Sequence, residues 1–311
     1  MKWIGAALLG GSLLLPPFLA GDFYINLASQ ILIAAIFALS LNLLVGFGGM
    51  TSLGHASYLG VAAYISALLT SRYGFGHGTA ALIAISGTIA MAAFFGVIAL
   101  RASGLGFLMI TLALSQVLWG LAYRMSNVTN GDNGITGLTR PAPFGISLDN
   151  PVAFYWFSLI MATVAFLMMM IFVSSAFGSS LKGARDQPRR MAALGFNPWL
   201  IRWITFIYAG FWGGVSGLLY VYYHKYIHPS SLSITSSAEA LLGVIAGGSG
   251  AMGGPAVGAA LVLLLKNYAS AYIERWNMLL GLVFLFIVLV MPAGIVPGFS
   301  RLIAGRRGAQ R

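Results

Sequence analysis

The chain has 311 residues, of which 59% are hydrophobic and 7% are charged, and its mean hydropathy is +0.89. A soluble domain of this length cannot bury so much apolar surface, so the composition excludes a soluble globular protein. The net charge of +11 would suggest nucleic-acid binding in a soluble chain. Here the cations lie at the ends of apolar runs, so they indicate membrane topology and no nucleic acid partner. The chain has no cysteine, which excludes disulfides, thiolate catalysis and cysteine-based metal sites.

Apolar runs of roughly 20 residues recur along the chain, and each is long enough to cross the hydrocarbon core. Lipid offers the backbone no hydrogen bonds, so long continuous runs predict helices. The predicted fold class is an all-α integral membrane protein, a polytopic bundle of about ten helical segments, some of them broken or re-entrant. Spans are predicted at residues 4–19, 24–45, 52–69, 80–100, 105–122, 152–177, 204–222 and 279–290.

The N-terminal segment allows two interpretations. Lys2 and the apolar run that follows it resemble a signal peptide that would be cut after Ala20. The bulky Phe18 stands where such a cleavage site requires a small residue, so we interpret the segment as a retained first span. The whole chain, residues 1–311, is expected to form one transmembrane domain.

Residues 178–200, which we call the coupling segment, form a dense cluster of charge between two long apolar runs. A short basic helix from about residue 188 to residue 194 is predicted there. Such a helix suits a membrane subunit on which a cytoplasmic partner must push. The residues predicted to contact that partner are Arg185, Asp186, Arg189, Arg190, Ala192, Ala193, Leu194 and Gly195.

The bias of Lys and Arg predicts the orientation of the spans. The coupling segment and the C-terminal tail, residues 296–311, are the strongest basic clusters, so both are predicted to be cytoplasmic, as is the N-terminus. The polar loop of residues 123–150 is then outside, together with Arg72, Arg124 and Arg140, against the usual bias. For the tail to return inside, residues 238–272 must leave and return to the same face, and either two half-helices or a re-entrant pair that breaks at the glycine-rich centre satisfies this.

The first glycine-rich break, residues 46–57, interrupts two apolar runs and allows two interpretations. As a break that lines the transport path, it offers the path residues Thr51, Ser52 and His55. As an ordinary loop, it leads into a helix whose N-cap is Ser52, and His55 is a packed histidine.

The second glycine-rich break, residues 247–255, matches the dinucleotide-binding pattern G-x-G-x-x-G at residues 248–253. The flanking segments are membrane spans and not a soluble parallel sheet, so we reject nucleotide binding. The predicted path residues are Gly247, Gly248, Ser249 and Gly250. Glycines four residues apart allow helices to approach closely, and those predicted to pack helices are Gly210, Gly214, Gly217, Gly254 and Gly258.

Catalytic machinery is not recognisable in the sequence, which has six carboxylates without a close pair and no Walker A motif. The polar loop lacks the acidic spacing of a calcium site, and no metal site is predicted. Glu239 is the carboxylate that stands within an apolar run, and an ion-coupled carrier usually has several on its path.

These residues resemble the M-type permease subunits of bacterial ABC importers for branched-chain amino acids. The similarity covers most of the chain, from about residue 39 to residue 294. Its matching pieces, in order, are residues 41–46, 52–56, 130–137, 184–186 with 192–195, 246–250, 253–255 with 258–259, and 291–294. The chain departs from the family at Gln187 and Pro188, where an acidic residue is common, so contacts with the partner can differ there.

The resemblance implies a bacterial inner-membrane permease that forms half of a translocation path with a related second permease. Two cytoplasmic ATPase subunits, which bind ATP and Mg, would drive it, and a periplasmic binding protein would deliver the substrate. This chain would carry no cofactor. Related permeases transport urea, amides or aromatic acids, so the substrate stays open. The alternative is an autonomous carrier or channel for a small polar solute, and an ATPase that co-purifies would separate the two.

Overall fold

The computed structural model describes residues 21–145, 147–272, 276–291 and 293–298, and this part of the chain is all-α, as predicted. The helices are α1 (Asp22–Asn42), α2 (Ala56–Ser71), α3 (His77–Ala99), α4 (Leu105–Arg124), α5 (Ser126–Thr129), α6 (Pro151–Ser174), α7 (Ala176–Asp186), α8 (Pro188–Ala193), α9 (Pro198–His224), α10 (Ile234–Gly247), α11 (Gly254–Tyr272) and α12 (Trp276–Val290). A π-helical turn, Leu43–Phe47, extends α1, and 3-10 turns span Gly131–Asn133, Pro143–Gly145 and Pro229–Leu232. The predicted span at residues 4–19 and most of the predicted tail lie outside the described residues.

Within the described residues, five helices are apolar and long enough to cross a membrane: Asp22–Phe47, His77–Ala99, Leu105–Arg124, Pro151–Ser174 and Pro198–His224. Each overlaps a predicted span. The largest difference is at α9, which was predicted to begin at residue 204 but begins at Pro198. The Asn197 side chain accepts a hydrogen bond from the Leu200 amide, so Asn197 and Pro198 are an N-cap and first helical residue that hydropathy alone overlooks.

Helix α9 lies at the centre of the bundle. Its most apolar stretch is 72% buried and that of α1 is 78% buried, whereas α3, α4 and α6 are 28%, 22% and 28% buried. The mostly exposed helices therefore present their apolar faces to lipid or to a partner subunit. The central helix packs closely because β-carbons at Gly210, Gly214 and Gly217 would crowd α2 and α3, in the last case at the Leu59 carbonyl.

The bundle has two chemically different ends. At the loop end, residues 123–150 meet residues 225–229: Ile135 and Ile227 exchange backbone hydrogen bonds of 2.9 and 3.0 Å, and Lys225 pairs with Asp149 at 2.7 Å. At the opposite, basic end lies the coupling segment, with α7 and α8. The polar loop and the coupling segment are thus at opposite ends, as predicted.

Arg140 is one of the cations at the loop end, where the charge bias predicts few, and its contacts explain its presence there. Its guanidinium donates hydrogen bonds to the carbonyl oxygens of Tyr222, Tyr223 and Leu148, at 2.9, 3.0 and 3.0 Å, and lies 4.6 Å from the centre of the Phe154 ring. The charge therefore fastens the polar loop onto the helix ends, and this structural role outweighs any topological one.

Helices α10 and α11 form a hairpin that turns at the second glycine-rich break. Helix α10 has 14 residues, but α11 has 19 and is nearly as long as α4, so the predicted half-length holds for α10 alone. The 3-10 turn Pro229–Leu232 enters the bundle from the loop end, because the Leu232 side chain packs against Gly60 and its carbonyl accepts from Ser115, halfway along α4. Helix α10 therefore begins near the middle of the bundle and ends at the basic end, where α11 starts back. Because α10 starts within the bundle and α11 runs back towards the loop end, the chain after α11 can return to the basic end, as the predicted number of spans requires.

Candidate coupling and translocation sites

The coupling segment folds as two short helices joined at Gln187. The Ser175 side chain caps α7 by accepting from the Gly178 amide at 3.3 Å, and Pro188 starts α8 at a position where proline is favoured. No residue of α8 is buried, and the side chain of Leu194 just beyond it is 67% exposed. The helix predicted for this segment is present, and it offers an exposed surface. The exposed members of the predicted set on and after α8 are Arg189, Arg190, Ala192, Ala193, Leu194 and Gly195.

Arg185 differs from the other predicted coupling residues, because its side chain points away from α8. Its Nη1 donates to the Gly46 carbonyl oxygen at 2.7 Å, and its Nε donates to Asp186 Oδ1 at 2.7 Å. This hydrogen bond holds the pKa of the Asp186 carboxyl below its usual value. Arg185 therefore joins the coupling segment to the first glycine-rich break.

Asn42 joins the same turn to the second glycine-rich break. Its Oδ1 accepts from the Gly250 amide at 2.9 Å, and its Nδ2 donates to the Ala251 carbonyl at 3.1 Å. The side chain is 1% exposed, and a β-carbon at Gly46 would overlap both the Asn42 amide and the Gly250 nitrogen. The two breaks are thus in contact at the basic end. Sequence analysis did not assign Asn42 a role; the available signal was a lone amide among leucines.

The predicted path residues of the first break lie in two different environments. His55 is 0% exposed, and its Nε2 lies 2.7 Å from the Ser40 hydroxyl. Ser52 is also buried and is not an N-cap, since α2 begins at Ala56 and the Ser52 hydroxyl accepts from the Gly54 amide. Thr51 lines a cavity of about 340 Å³ at the basic end, together with Met50, Ser103, Phe107 and Arg202.

The second break is packed mainly against backbone. Gly247 and Gly248 are buried, while Ser249 and Gly250 are exposed. Gly248 and Gly250 have φ of 111° and 81°, a region that only glycine adopts without strain. β-Carbons at Gly254 and Gly258 would overlap the carbonyls of α10, so both glycines lie where α10 and α11 touch. None of the four predicted path residues lines the cavity beside Thr51 or the second cavity, which is described next.

A second cavity, of about 200 Å³, lies between α1, α9, α10 and α11. It extends from the middle of the bundle towards the loop end, and its walls are mostly apolar. Glu239 of α10 and Lys266 of α11 face each other at its edge, with Nζ 3.2 Å from Oε2. Glu239 was singled out from the sequence and Lys266 was missed, although a single lysine directly after the apolar residues 259–265 was a usable signal.

A family model and two individual relatives match this chain, and all three describe permeases of branched-chain amino acid transport systems. The family model described as "Branched-chain amino acid transport system / permease component" matches residues 23–289. The high-affinity branched-chain amino acid transport system permease protein LivM of Salmonella typhimurium strain LT2 is 23% identical over 306 residues, covering 90% of this chain and 72% of the relative. LivM of Escherichia coli strain K12 is 24% identical with the same coverage. No solved structure matches the chain significantly.

Proposed function

The chain belongs to the family of permease components of branched-chain amino acid transport systems, and from this premise we propose that it forms half of the translocation path of an ATP-driven importer for branched-chain or related amino acids. It is a transport subunit and not an enzyme. A related second permease supplies the other half of the path. The apolar outer faces of α3, α4 and α6 give that partner, and the lipid around it, extensive surface to contact.

The partners at the basic end are two cytoplasmic ATPase subunits, which bind ATP and Mg²⁺. The observation that carries this assignment is α8: a helix without a buried residue, with Arg189 and Arg190 on it and the apolar Leu194 exposed beside it. Apolar side chains exposed next to cations suit a protein surface, because an interface buries an apolar core inside a polar rim. A periplasmic binding protein delivers the substrate at the loop end.

Two hydrogen-bonding side chains connect the segment around α8 to the membrane-embedded helices. Arg185, two residues before Gln187, binds the Gly46 carbonyl, and the neighbouring Asn42 binds both Gly250 and Ala251. A displacement of the coupling segment by the ATPases therefore pulls on α1 and on the α10–α11 hairpin together. In this arrangement the breaks are the joints that move, and the cavity of about 340 Å³ beside the first break opens or closes.

The proposed location is the bacterial inner membrane, with both ends in the cytoplasm. Opposite placement of the coupling segment and the polar loop supports this orientation, because the coupling segment holds the densest basic cluster of the described residues.

Ala193→Arg tests the function. Ala193 is exposed at the end of α8, so a long cation there should block the ATPase while the bundle still folds. We expect the variant to reach the membrane, to co-purify with far less ATPase and to lose amino acid uptake. Ala142→Arg is the matched control, because Ala142 is exposed in the polar loop. Uptake by purified wild-type chain without an ATPase would instead indicate an autonomous carrier.

A further inference from the structure

We propose that the cavity between α1, α9, α10 and α11 is a transient binding site for a zwitterionic aliphatic amino acid, with Glu239 binding the ammonium group and Lys266 binding the carboxylate. This inference rests on the proposed transport function and names the site that the substrate occupies on its way through this subunit. The cavity is separate from both glycine-rich breaks.

The two charges stand in apolar surroundings. Glu239 and Lys266 are 21% and 43% exposed, and the cavity wall around them is largely aliphatic and aromatic. Its apolar lining includes Ile33, Ala34, Phe37, Leu59, Val262 and Leu263. Ionisable groups inside a membrane protein are costly, and they commonly mark substrate or ion pathways. An ion pair used only to fasten α10 to α11 would not require a cavity beside it.

A zwitterion matches this pair in charge. When an amino acid enters between Glu239 and Lys266, one ion pair is replaced by two, and no charge is left without a partner. The aliphatic side chain of the substrate then lies against the apolar wall, where its burial is favourable. An amine without the carboxylate, or an acid without the ammonium group, would break the Glu239–Lys266 ion pair and form only one in its place, which is less favourable away from water.

The position of the pair in the bundle suits a transport intermediate. Helix α10 begins near mid-bundle, at the level where Leu232 contacts Ser115, and Glu239 is on its second turn. Lys266 lies on α11 towards the loop end, and Tyr223 and His224 line the cavity there. Binding near mid-membrane at discontinuous helices is a recurring arrangement in transporters. The site therefore lies between the loop end and the joined breaks.

Single charge removals in the complete importer are the first test. Glu239→Gln and Lys266→Met should each lower the maximal rate of radiolabelled leucine uptake about tenfold or more, per assembled complex in proteoliposomes. The leucine concentration at half-maximal uptake should change little, because the separate binding protein captures the substrate. Asn267→Leu is the matched control: it removes the polar side chain next to Lys266 on α11, which donates to the Leu263 carbonyl and does not line the cavity, and it should transport normally.

Exchanging the two charges separates a substrate site from a structural ion pair. Glu239→Lys combined with Lys266→Glu preserves the pair but reverses the polarity of the site relative to the apolar wall. We expect assembly to be normal and leucine uptake to stay low. Restoration of both assembly and uptake by the exchange would mean that the pair only fastens α10 to α11, and the inference would be wrong.

A change in cavity size provides an independent readout. Ala240 lines the cavity, so Ala240→Leu should reduce its volume and lower leucine uptake more than valine uptake. An unchanged ratio of the two rates would overturn the inference even if the charge variants fail to assemble. If wild-type complex transports leucine and every cavity variant matches it, only this inference fails. If wild-type complex transports no amino acid, the proposed function itself fails.

Discussion

Arg185 shows how a single residue can differ in role from the cluster in which it stands. In sequence it is one of several cations around α8, yet its guanidinium bridges the Asp186 carboxylate and the Gly46 carbonyl. The aliphatic part of its side chain also lies over Gly49, where a β-carbon would crowd it. Planar guanidinium can hold two acceptors in fixed directions, which an ammonium group cannot do equally well.

We therefore expect Arg185→Lys to weaken the link between the coupling segment and the first break. Amino acid uptake per assembled complex should fall about tenfold, while ATPase co-purification and ATP hydrolysis persist. Arg101→Lys is the control, since Arg101 is exposed in the connection between α3 and α4 and keeps its charge on substitution. Equal uptake by the Arg185→Lys variant and wild-type complex would show that the Gly46 contact does not transmit motion.

At the scale of elements, the ends of α1, α10 and α11 meet at the basic end through backbone and one amide side chain. The π-helical turn Leu43–Phe47 re-aims the end of α1. Asn42 then satisfies a backbone donor and a backbone acceptor of the second break, at Gly250 and Ala251. Irregular backbone at this depth is tolerated because protein groups replace the missing hydrogen bonds.

Gly46→Ala tests this junction. The added methyl group would overlap the Asn42 amide and the Gly250 nitrogen. We therefore expect the variant to unfold at a lower temperature, with a free energy of unfolding reduced by about 1–3 kcal/mol. Gly253→Ala is the matched control in the second break, because a β-carbon there meets nothing within 4 Å. Thermal unfolding in detergent compares the two. Equal unfolding temperatures of the two variants would mean that the contact between the two breaks at Gly46 does not stabilise the fold.

At the scale of the whole molecule, the two ends of the bundle differ in how their charged side chains are arranged. Arg140 and the Asp149–Lys225 pair hold the loop end together by internal contacts, whereas α8 leaves its cations exposed at the basic end. The loop end, with these internal contacts, and the basic end, with the exposed cations of α8, suit different partners. We assign the periplasmic binding protein to the first and the ATPases to the second.

Labelling of single cysteines tests the orientation directly, because the chain contains no native cysteine. Ser147 is exposed in the polar loop, and Ser103 is exposed in the connection between α3 and α4 at the basic end. In intact cells, an impermeant thiol reagent should label Ser147→Cys but not Ser103→Cys. Permeabilised cells, in which both variants should react, provide the control. The opposite pattern in intact cells would reverse the orientation.

Sequence by itself determined the fold class, most of the spans and the place of the coupling segment. Apolar runs of roughly 20 residues have few ways to satisfy their backbone in lipid, and a dense charge cluster cannot lie within such a run. The hairpin of α10 and α11 followed from the same reasoning, since Gly247 and its neighbours interrupt a run that must return to the side it left.

Only the tertiary structure decided which side chains meet. The sequence grouped Thr51, Ser52 and His55 as one path, but Thr51 lines a cavity while the other two are buried in packing contacts. Conversely, Lys266 pairs with Glu239 across the hairpin, 27 positions away. Hydropathy locates a helix in the membrane but does not set its rotation, its depth or the distance that a re-entrant turn penetrates. Those quantities depend on how neighbouring helices pack, and they determine which polar groups share a cavity.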